Sequence, residues 1–137
     1  MSNARWGNPV WILLHTFAEK LREDVYRNNC EACFGFVRHI SEHVPCHVCR
    51  MESRKYLSKV DCEELQTKEC FKLFLFMFHN DVNRRLGKRL FTLSDLNNYE
   101  STAMTVVLPF FLSRVGTPSL CEFVESFLSS RSEWFHK

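Results

Sequence analysis

Pro45-Cys46-His47-Val48-Cys49 places two thiols two residues apart behind a proline. That spacing serves either a redox disulfide or half of a metal site. In the redox reading Pro45 resists continuing the helix before it, and the cysteines open the next one. A thiol at a helix N-terminus meets unpaired backbone N–H groups and the positive end of the dipole, which lowers its pKa and makes it a better attacking or leaving sulfur. The metal reading adds Cys30 and Cys33, a pair of the same spacing with 12 residues between the pairs. Two such pairs are close to a four-cysteine zinc pattern, and would make the chain a zinc-binding protein-interaction module without enzymatic activity. The spacer reads as a helix of about 12 residues, roughly 18 Å long, whereas one zinc needs all four sulfurs about 2.3 Å from the metal. Zinc and a rigid spacer helix exclude each other.

Two further groups have chemistry in their spacing. In His79-Asn80-Asp81-Val82-Asn83, His79 and Asn83 stand four apart and share a helix face. An imidazole and an amide in register can grip a polar ring by stacking and hydrogen bonding. Lys88, just past the helix end, can reach a phosphate as a point charge. Trp11 and His15 repeat the four-residue spacing on an otherwise apolar helix. Taken singly, the first group is the polar end of a core helix, and the second is a core tryptophan beside a satisfied histidine.

The elements that must position these groups are helical. A chain of 137 residues suits one domain with a single core, here residues 1–137. Hydrophobic residues make up 45% and Phe alone appears 13 times, so a core can form. Gly and Pro number four each, too few for an all-β protein with many tight turns. Asn8-Pro9 reads as an N-cap and first helical residue, and Val10, Leu14, Phe17, Leu21 and Val25 carry one helix to about Tyr26. A second is expected over about Glu31–Glu42, a third from the Cys46 pair to Leu57, then a polar loop over 58–67. The most apolar helix spans about Lys68–Leu86 and ends at Gly87. Ser94-Asp95-Leu96 starts a fifth that reaches into the Met104–Leu112 run, where Pro109 should kink or end it. Thr117-Pro118 opens the last. The sum is an all-α chain, and its short connections suggest an antiparallel bundle.

Composition also sets limits. The formal charge of +2, with no long basic run, points away from nucleic acid and anionic membranes. The run from Met104 to Leu112 is far short of the roughly 20 residues a spanning helix needs. No apolar signal core follows the N-terminus, because His15, Glu19 and Lys20 interrupt it. Seven cysteines in a chain of this kind favour thiol chemistry or zinc over structural stapling.

In order and interval, Trp6-Gly7-x3-Trp11-x3-His15, Pro45-Cys46-x2-Cys49 and His79-Asn80-x-Val82-Asn83-x2-Leu86-Gly87-Lys88 resemble the Erv/ALR family of FAD-dependent sulfhydryl oxidases. The resemblance covers about Trp6 to Tyr99, leaving 100–137 as a C-terminal helical extension. It implies a four-helix bundle with FAD at one end, usually dimeric. It also implies that Cys46 and Cys49 are the catalytic disulfide, Cys46 exchanging with the incoming thiol and Cys49 passing electrons to the flavin. Dioxygen would be the acceptor, yielding hydrogen peroxide. Trp11, His15, His79, Asn80, Val82, Asn83, Leu86 and Lys88 would be the cofactor contacts, with Tyr99 as the aromatic nearest the family's later tryptophan. Substrates would be protein thiols, thioredoxin-like proteins among them.

The chain departs from the family pattern at several positions. Asn8 stands where the family often has Arg, which removes a possible phosphate contact, and Val44 replaces an aromatic. Phe76 and Leu93 occupy the positions of a structural disulfide, so a hydrophobic contact between them is expected to replace the bridge. Cys30 and Cys33 are open to being a shuttle pair, a structural disulfide or free thiols. Cys62 and Cys70 can pair across the polar loop or stay free, and Cys121 reads as a buried small hydrophobe. The lack of a leader fits the host cytoplasm, and the virion, of a large DNA virus, with the mitochondrial intermembrane space as the alternative.

Overall fold

The computed structural model describes residues 7–115 and 117–136; Trp6, which opens the first motif, lies outside them. Helix α1 runs Gly7–Lys20 and begins one residue ahead of the expected Asn8 cap. Its side chains Leu13, Leu14, Phe17 and Ala18 are buried. Two helices pack directly on it: α5 (Lys68–Leu86) and α7 (Met104–Val115). Between α1 and α5 come α2 (Glu23–Asn28), α3 (Cys30–Ser41) and α4 (His47–Leu57), with α3 packed on α4. A short α6 (Leu93–Asn97) follows α5, and α8 (Pro118–Ser129) lies against α3 and α7. Among the described residues there is no strand, only the isolated bridge Leu21–Phe135. The chain is all-α.

Aromatic rings hold the helices together. Phe17 of α1 meets Phe36 of α3 at 4.4 Å between centroids, and Phe71 of α5 stacks on Tyr26 at 5.0 Å and meets Phe34 edge-on at 5.0 Å. Each fully buried Phe is worth about 1.5–3 kcal/mol of burial, so this cluster fixes how α1, α3 and α5 lie against each other.

The expected first helix is broken at Leu21 and Arg22 instead of running to Tyr26. The cause is tertiary. Lys68 Nζ donates to the carbonyls of Glu19 and Leu21 at 2.8 Å each, capping the end of α1. The C-terminal segment takes the remaining backbone groups: Arg22 N–H donates to Trp134 O at 2.9 Å, and His136 N–H to Lys20 O at 2.8 Å. The expected fifth helix is also two: α6 ends in a 3₁₀ turn over Asn98–Ser101 before α7 begins. Pro109 lies inside α7 and does not end it. Val107, Phe111 and Val115 are buried at i, i+4 and i+8, and that packing outweighs the one backbone bond the proline removes.

At the other end of α5, Gly87 takes φ +69° as the left-handed cap, and the Lys88 N–H returns to Asn83 O at 2.8 Å. The chain thus doubles back along the last turns of α5. That reversal builds the site.

Candidate functional site

Cys46 and Cys49 form a disulfide at the start of α4. Cys46 is the N-cap: its backbone is extended (φ −157°, ψ 107°) and its sulfur accepts the Cys49 N–H at 3.2 Å. Arg50 fixes the preceding turn by donating to Val44 O at 2.8 Å. The sulfurs therefore sit where the helix leaves backbone donors without partners, the environment that favours a thiolate.

Cys33 and Cys70 are free thiols, one of the states the spacing leaves open, whereas Cys30 and Cys62 make a pairing it does not suggest. Cys30 is bonded to Cys62, tying the start of α3 to the loop before α5, with Cα atoms 6.1 Å apart. Cys33 is a buried free thiol whose pKa is pushed up to about 12 by burial, and Cys70 is free and accepts from Thr67 Oγ1 at 3.1 Å. Neither Cys30–Cys33 nor Cys62–Cys70 is a pair. Cys121 is half-buried rather than fully buried, its sulfur 3.9 Å from Leu112 O. With Cys30 committed to Cys62, the four-sulfur zinc set is broken. Among the described residues no cluster of three His, Cys, Asp or Glu is placed to hold a metal.

Beside the disulfide, at the open end of α1 and α5, lies a cleft of about 570 Å³. Trp11, His79, Val82, Asn83, Leu86, Lys88 and Tyr99 line it, together with Asn8, Arg89, Phe91 and Asp95. A narrow cavity of about 50 Å³ carries Cys49 on its wall and shares Trp11, Val82 and Leu86 with the cleft. Cys46 is not on that wall, so the inner sulfur is Cys49.

The cleft has one face of rings. Trp11 and His79 are parallel at 4.1 Å and 4°, and Phe91 stacks on His79 at 4.6 Å and on His15 at 4.9 Å. His15 does not line the cleft. It is buried behind it, Nε2 3.0 Å from His79 Nδ1. Burial, and then the neighbouring His79, holds its pKa down at about 3; burial, and then Lys88, holds His79 at about 4. Both rings are neutral near pH 7. Among the described residues His15 Nδ1 is buried without a partner, and an orphan N–H there would cost more than an orphan lone pair. The proton therefore sits on His15 Nε2 and is donated to His79, which leaves His79 with its proton on Nε2, on the cleft side of the pair.

Asn80 also lies behind the wall. Its Oδ1 accepts the Phe91 N–H at 2.7 Å, and its Nδ2 donates to the Phe91 carbonyl at 2.9 Å. Asn83 does the same once, donating to Arg89 O at 3.2 Å. Two amides on one face of α5 thus hold residues 89–91 against the helix. Phe91 is the residue that sequence spacing does not mark, since nothing local says which aromatic returns to the histidines. Phe76, expected to meet Leu93, has Phe91 as an aromatic neighbour at 5.9 Å, and Leu93 is 57% exposed.

Comparison with known proteins follows the same lines. The FAD-linked sulfhydryl oxidase of African swine fever virus (isolate Tick/Malawi/Lil 20-1/1983) is 29% identical over 103 residues, 74% of this chain and 86% of that protein. A protein of Invertebrate iridescent virus 3 is 30% identical over 84 residues, 61% of this chain and 57% of its own. The mitochondrial FAD-linked sulfhydryl oxidase of Schizosaccharomyces pombe is 28% identical over 89 residues, 64% of this chain and 49% of that protein. No solved structure matches. The model of the Erv1 / Alr family matches residues 8–101, a span that holds both the disulfide and the walls of the cleft, and the chain belongs to that family.

Proposed function

We propose that the chain is an FAD-dependent sulfhydryl oxidase that makes disulfides in protein thiols and uses dioxygen as acceptor. One observation carries the reading: Cys49 of the Cys46–Cys49 disulfide lines a narrow cavity that shares Trp11, Val82 and Leu86 with an aromatic cleft. The cleft suits a flavin dinucleotide in size and in donors: flat faces from Trp11, His79, Phe91 and Tyr99, an amide from Asn83, and a cation from Lys88. His15 orients His79, and Asn80 orients Phe91.

In this reading a substrate thiolate attacks Cys46 Sγ. The Cys46–Cys49 bond breaks and Cys49 leaves as a thiolate, stabilised at the start of α4. A second substrate thiol then attacks the mixed disulfide at the substrate sulfur, so the product disulfide departs and Cys46 and Cys49 are left reduced. Trp11, His79, Asn83 and Lys88 would hold FAD, which would supply the two-electron acceptor for the reduced pair, with dioxygen as final acceptor and one hydrogen peroxide per disulfide made. Trp11 and Phe78, edge-on at 5.2 Å, line the same narrow cavity as Cys49.

Substrates in this reading include thioredoxin-like proteins, and the working form is a homodimer. The site of action is the cytoplasm of a virus-infected cell and the virion, in keeping with the viral relatives; the intermembrane space is the alternative. No described helix is long and apolar enough to cross a membrane. Oxygen uptake with dithiothreitol tests the activity: the purified protein should be yellow and consume one dioxygen per dithiol oxidised. A yellow protein that takes up no oxygen would be a binding bundle instead.

A further inference from the structure

We infer that Arg89 is an anion-binding residue of the cleft, acting with Lys88 on the phosphates of the dinucleotide. The inference rests on the flavin reading above. Among the described residues, three charged side chains line the cleft: Lys88, Arg89 and Asp95. Arg89 is held from both sides. Its carbonyl accepts from Asn83, and its guanidinium gives one N–H to Leu90 O at 3.3 Å and one to Asp95 at 3.4 Å. Asp95 is itself fixed, accepting the Thr92 N–H at 2.9 Å in the cap of α6.

The guanidinium is thereby pre-aimed, yet its side chain stays 75% exposed. It has five N–H donors in a rigid fork, and two are in use. The remainder suit a phosphate better than a protein acceptor, because none of the described residues offers a second carboxylate there. Asn8, across the cleft, is uncharged, so Arg89 supplies the second positive charge that the diphosphate needs beside Lys88. Asp95 opposes it, competing for the same donors while holding them in place.

This assignment and a simple loop tether give opposite expectations for Asp95. The measurement is the rate at which FAD leaves the loaded full-length protein, read by flavin fluorescence after dilution at low and high salt. If Arg89 holds phosphate, Arg89→Gln releases FAD about tenfold faster at low salt, and the difference shrinks at high salt. Arg89→Lys, which keeps the charge, stays nearer the wild type. Asp95→Asn, which keeps an acceptor for the cap, releases FAD no faster than the wild type. Release from Arg89→Gln at the wild-type rate, or equal acceleration by Asp95→Asn, would overturn the assignment and leave the flavin reading intact. A wild-type protein that retains no flavin would overturn both.

Discussion

His15 and His79 are hydrogen-bonded at 3.0 Å, and the one carboxylate that favours a charge on His79, Asp95, is outweighed by burial and by Lys88. Their folded pKa values, about 3 and about 4, lie below the ordinary 6.5. As pH falls the unfolded chain binds protons first, so stability is full above about pH 6.5 and declines from there towards pH 4. The loss is on the order of a few kcal/mol. Melting temperatures between pH 7.5 and 4.5 should fall in the wild type and fall less steeply in His79→Gln; equal slopes would mean that the pair does not set acid stability. At this scale the spacing in the sequence marks the residues but not their partners. Trp11, His15, His79 and Asn83 share faces that four-residue spacing makes legible. That Asn80 spends its whole amide on the backbone of Phe91 depends on the reversal after Gly87, which no periodicity encodes.

Helix positions were largely legible where one apolar stripe runs between a good cap and a stop, as in α5 from Thr67 to Gly87. They were not legible where distant backbone intervenes. The break after Lys20 needs the Lys68 ammonium and the segment 134–136, more than a hundred residues downstream. The Cys30–Cys62 bridge is of the same kind, since a separation of 32 residues says nothing of which thiols meet. A bridge closing such a loop is worth about 2–4 kcal/mol. It stands at the far end of α3 from Cys46, so its role is to hold α3 to the loop before α5. The double variant Cys30→Ser/Cys62→Ser should lose about that much stability in urea, yet keep its bound flavin and its rate with dithiothreitol. Unchanged stability, or lost turnover with flavin retained, would make the pair something other than a brace.

Across the whole molecule, one aromatic core sets α1, α3 and α5, and the two ends of α5 do different work. Its N-terminal half is buried among Phe17, Tyr26 and Phe34, whereas its C-terminal half carries the polar face of the cleft. The residues beyond Thr102 complete the core around α1 through α7, as Val107 and Phe111 show. They also tie the tail to Lys20 and Arg22. In the proposed function electrons flow in one direction, from thiol through Cys46–Cys49 to the flavin. The most direct test is anaerobic addition of dithiothreitol to the FAD-loaded protein, followed at the visible flavin band. The wild type should bleach within its turnover time, and Cys49→Ser should keep its flavin and stay yellow. Bleaching of Cys49→Ser at the wild-type rate would contradict the account.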